Sequence, residues 1–109
     1  MTGETELVKL LKDMKPELHA GEYVYCLAAS WEQAVRLAPI GIFHEKEGVT
    51  VILPKLIAEE ASLPYSTVCA WITLTVHSSL EAVGLTATVS KALTEANISC
   101  NVVAAYYHD

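Results

Sequence analysis

Residues 72–101 read ITLTVHSSLEAVGLTATVSKALTEANISCN, and the fold turns on this stretch. Its opening alternates Ile72, Leu74 and Val76 with Thr73 and Thr75, the pattern of a strand with one buried face. Leu85, Val89, Ala92, Leu93 and Ala96 then recur at helical spacing, with Lys91 and Glu95 on the wet side. Asn97 suits the left-handed position just beyond the helix, from which Ile98 can return to the last turn. Trp71 to Val76 therefore reads as a strand, Leu85 to Ala96 as a helix and Cys100 to Tyr107 as a second strand.

Between strand and helix lies the loop His77-Ser78-Ser79-Leu80-Glu81-Ala82-Val83-Gly84. A loop that feeds a helix start offers free backbone N–H groups and the positive end of the helix dipole, which suit a carboxylate. Gly84 lacks a Cβ, so a ligand or another backbone can approach it. Glu81 can hold an ammonium or guanidinium group, and a site with both features fits an amino acid. On spacing alone a plainer reading stands beside this one: Gly84 only turns the chain, and Ser78 and Ser79 cap the helix.

Outward from this stretch the same theme recurs upstream. Leu7, Leu10, Leu11 and Met14 form a helical stripe that Pro16 stops. Tyr23 to Ala29 reads as a strand. Ser30 with Gln33 makes a capping box, after which Trp31, Ala34, Val35 and Ala38 share a helical face up to Pro39. Ile40 to Glu45 and Val49 to Leu53 are strands around the tight turn Lys46-Glu47-Gly48, and Lys55 to Ala61 is a short helix after Pro54. The chain is thus an imperfect internal repeat of α+β units, with Ser62 to Thr67 as the junction. The units expected are 1–66, with its leading helix, and 67–109.

Composition narrows the function. With 109 residues and 52% apolar content the chain can build a core and is no disordered tail. Its net charge of −6 and lack of a basic patch argue against nucleic acid or an anionic membrane as partner. The polar start at Met1 to Glu6 is no secretory signal and no run reaches the ~20 apolar residues of a membrane span, so a cytoplasmic location is expected. Cys26, Cys69 and Cys100 form no Cys-x-x-Cys pair and read as small buried hydrophobes. His44-Glu45 and His108-Asp109 are chance pairs with nothing to complete a metal site. His77 beside Ser78 and Ser79 lacks an orienting carboxylate, so no nucleophile is assigned. Glu59-Glu60 reads as a solvated helix face, and Trp31 and Trp71 as core or subunit-interface anchors. No Gly-rich phosphate cradle exists, so neither a metal nor a cofactor is expected, and the chemistry expected is binding rather than catalysis.

Residues 71–107 resemble an ACT domain, a small ligand-sensing module of amino-acid metabolism. The resemblance lies in Trp71 to Val76, Gly84, Leu85 to Ala96, Asn97-Ile98 and Cys100 to Tyr107. More closely, His77 to Thr86, Ile98-Ser99-Cys100-Asn101-Val102 and Tyr107-His108-Asp109 resemble bacterial proteins with tandem ACT-like units, related to the ACT units of the cytosolic arginine sensor of animals. Pro16, Gly21, Tyr23 and the Glu45 to Gly48 turn extend the match upstream. Many ACT loops read Asp-x-Pro-Gly; here the Asp and Pro are missing. Members of the closer group continue past His-Asp, so the resemblance implies that the second unit lacks its final strand and helix. It also implies two ferredoxin-like units, each an antiparallel sheet with helices on one face. The function implied is a non-catalytic regulatory or sensing module for an amino acid. The ligand is placed at His77, Ser78, Ser79, Glu81, Val83, Gly84, Leu85 and Thr86, between units, with Asn97, Ile98, Ser99 and Asn101 as neighbours. The alternative is a protein–protein interaction module without a ligand. Apolar content and the incomplete second sheet point to a two-fold homodimer.

Overall fold

The computed structural model describes residues 16–75 and 85–109. The stripe Leu7 to Met14 lies outside them. The chain divides into two compact units, one of which is Leu18–Trp71. The described residues of the other are 16–17, 72–75 and 85–109.

The first unit is built on β2 (Tyr23–Ala28), α1 (Trp31–Arg36), β3 (Gly41–Glu45), β4 (Gly48–Pro54), α2 (Lys55–Glu60) and β5 (Val68–Cys69). Its sheet has the order β3-β4-β2-β5 with every pairing antiparallel, which is the split β-α-β arrangement of a ferredoxin-like fold. Alternation does the sorting. Val24, Cys26 and Ala28 point to one face of β2 and lie opposite Leu53, Val51 and Val49 of β4. Ala34 of α1 and Ala58 of α2 cover that face, and the small side chains let both helices approach closely. Val24, Val51 and Leu53 are fully buried, each contributing about 1.5–3 kcal/mol of transfer free energy. On the other face Tyr25, Leu27 and Phe43 remain exposed.

Gly48 closes the β3–β4 hairpin with φ +155°, and a Cβ there would meet Leu27 Cδ1 at 2.7 Å. The capping box forms as expected: Ser30 Oγ accepts from the Gln33 N–H at 3.1 Å, and Gln33 Oε1 accepts from the Ala29 N–H at 2.6 Å. The helix ends at Arg36, however, and Ala38 takes φ +48°, so Ala38 leaves the helical face expected of it. The α region is disfavoured for a residue preceding proline, here Pro39. Sequence reading does not anticipate β5. This strand of two residues closes on Tyr23 and Val24.

β1 (Pro16–Leu18), whose first two residues fall in the second unit, and β6 (Ile72–Leu74) form a two-stranded sheet, and α3 spans Leu85–Glu95. Asn97 has φ +62°; its N–H donates to the Thr94 carbonyl and the Ile98 N–H to the Leu93 carbonyl, both at 2.9 Å. That is the Schellman closure expected of Asn97. Two expectations are corrected. The strand Trp71 to Val76 contracts to Ile72–Leu74 among the described residues, and Cys100 to Tyr107 forms no ladder. β-propensity measures how well a side chain fits a pleated, half-buried surface. Among the described residues none pairs with Val102, Val103, Tyr106 or Tyr107 in such a surface, and Tyr106 is 84% exposed.

Candidate functional site

The site assigned from sequence is split by what is described. His77, Ser78, Ser79, Glu81, Val83 and Gly84 lie outside the described residues. Leu85 opens α3, Thr86 is exposed in its first turn, and no acidic residue stands in that turn to compete with an anion. Asn97, Ile98, Ser99 and Asn101 are exposed beyond the opposite end. A helix rises 1.5 Å per residue, so Thr86 and Asn97 are held about 16 Å apart along the axis. α3 thus carries two separate groups of the assigned residues, one at each end.

The corresponding helix start in the first unit is occupied by its own side chains. Ser30 and Gln33 consume the N–H groups of Gln33 and Ala29. Beside it Trp31 is 48% exposed and stacks on His44, with ring centroids 4.6 Å apart and planes 19° apart. Of the two roles read for Trp31, the core one is excluded by that exposure. Trp71 is half-buried, stacked on His19 and edge-on to Tyr23.

A charged cluster that sequence reading missed lies elsewhere in the same unit. A hollow of about 280 Å³ is lined by Ala20–Tyr23, Pro54–Leu56 and Glu59. Lys55 Nζ stands 3.6 Å from Glu22 and 3.9 Å from Glu59, and Tyr65 donates its hydroxyl to Glu59 at 2.8 Å. The neighbouring Glu22 carboxylate, then Tyr65 and Glu59, raise the Lys55 pKa. The hydrogen bond to Glu59, then desolvation, raises that of the Tyr65 hydroxyl. Glu59 is therefore engaged rather than merely solvated. The i,i+4 spacing of Lys55 and Glu59 is the one readable signal, because Glu22 comes from a distant segment and Tyr65 from beyond the end of α2.

Cys26 is buried, and desolvation raises its thiol pKa. Cys69 and Cys100 are only half-buried, which corrects the expectation of three buried thiols; all three are free. Among the described residues no three His, Cys, Asp or Glu side chains gather to hold a metal ion. No described helix is long and apolar enough to cross a membrane.

A split β-α-β sheet with both helices on one face, followed by a second α+β unit, defines a ferredoxin-like tandem. One ACT-domain model matches residues 2–70 and another residues 66–109, and the chain belongs to the ACT-domain family. ACT domains are regulatory, ligand-binding modules rather than catalytic ones. A crystal structure of a Vibrio cholerae protein of unknown function, described as a possible transport protein, is 47% identical with a TM-score of 0.87. The match covers 98% of this chain and 83% of that one. No curated protein matches the chain.

Proposed function

We propose that this chain is a non-catalytic regulatory module whose ligand is an α-amino acid. The observation that carries the reading is the ACT-domain match over 66–109, a span that holds both the sequence His77 to Gly84 and the described helix α3. The ligand carboxylate faces the N–H groups near Gly84, Leu85 and Thr86, and its ammonium faces Glu81, with His77, Ser78, Ser79 and Val83 shaping the loop. Asn97, Ile98, Ser99 and Asn101 lie at the far end of α3, so they reach the same ligand only from a second copy. The protein acts as a cytoplasmic homodimer of two ACT-like units per chain, 1–66 and 67–109. Net acidity favours a basic ligand such as arginine. The ligand works by binding one packing more tightly than another, since only differential affinity shifts a population.

A thermal-shift screen of the twenty amino acids tests this. At 100 times its dissociation constant a ligand adds about 2.7 kcal/mol, a rise of roughly 10 °C or more in a chain of this size. Gly84→Val abolishes the shift by filling the space beside the helix start. If no amino acid shifts the melting temperature, or Gly84→Val leaves the shift intact, the site is wrong.

A further inference from the structure

We draw no further inference here: the strongest candidate, the hollow of about 280 Å³ between the Ala20–Tyr23 turn and the start of α2, carries nothing, because Lys55 is shared between the Glu22 and Glu59 carboxylates and Tyr65 takes up Glu59, a cluster paired within itself at which no described residue points to a ligand.

Discussion

His19 and Trp71 stack face to face, ring centroids 3.6 Å apart and planes 11° apart, and the His19 N–H donates to the Trp71 carbonyl at 2.9 Å. The two residues stand near opposite ends of the Leu18–Trp71 unit, so the stack clasps its beginning to its end. Tyr23 meets Trp71 edge-on at 5.3 Å, and its hydroxyl donates to the Ala20 carbonyl. Trp71→Leu removes both ring contacts while keeping an apolar side chain. It is expected to lower stability by about 1–3 kcal/mol, read from the urea midpoint at unchanged slope.

Gly48 is held by its backbone more than by its neighbour. The nearest atom to an added Cβ is the end of the exposed Leu27 side chain, which can swing away. A φ of +155° offers no such relief to an L-residue. Gly48→Ala should therefore cost about 1–2 kcal/mol, and adding Leu27→Ala should not restore it. Recovery in the double variant would show that crowding, not backbone conformation, sets the cost.

Ser30→Ala should destabilise by about 1 kcal/mol, because the Gln33 N–H loses its acceptor at the start of α1. Ser30→Asp should retain most of the stability, as its carboxylate can accept the same bond. An equal loss in both variants would assign the effect to something other than capping.

Alkaline pH should loosen the fold. Burial raises the Cys26 thiol above its ordinary 9.0. Burial, then Cys69, raises Tyr25 above 10.0; the Glu59 bond raises Tyr65 likewise, and Glu22 raises Lys55 above 10.5. For all four groups the unfolded chain releases its proton first, so it binds fewer protons than the native state and stability falls as pH rises. The contribution is intact below the unfolded values and is lost from about pH 9 upward, Cys26 first. Denaturant titrations at pH 7 and pH 10 measure the fall. In Cys26→Ala the fall should begin about one pH unit later, where the tyrosines titrate; an unchanged onset would remove Cys26 as its source.

The legible parts of the fold are those whose signal is local. β2 is an aromatic and β-branched run whose burial alternates, the turn between β3 and β4 carries Gly48, and Ser30 with Gln33 announces α1. Asn97 marks the end of α3 correctly for the same reason. β1 and β5 have three and two residues, too few to display a period, and they exist because a distant strand pairs with them. Cys100 to Tyr107 misleads, since its residues suit a strand but its described neighbours supply no ladder. At the candidate site the helix that opens at Leu85 is readable from its stripe. That its length sets Thr86 far from Asn97 is a matter of geometry, and only the folded helix shows what this means for one ligand. The Glu22–Lys55–Glu59–Tyr65 cluster assembles only after folding joins three segments.

The order β3-β4-β2-β5 also sets an expectation for the order in which the strands pair. The β3–β4 hairpin closes over a two-residue turn, so its chain-entropy cost is small and it can form early. The β2–β5 pair joins Val24 to Val68 across nearly the whole unit, for only two residues of ladder. That contact repays little until the helices have packed, so it is the last to zip up and the first to breathe. Amide hydrogens of β5 should exchange with solvent well ahead of those in the middle of β4, so that the clasp of His19 on Trp71, rather than the ladder, keeps this end of the unit in place.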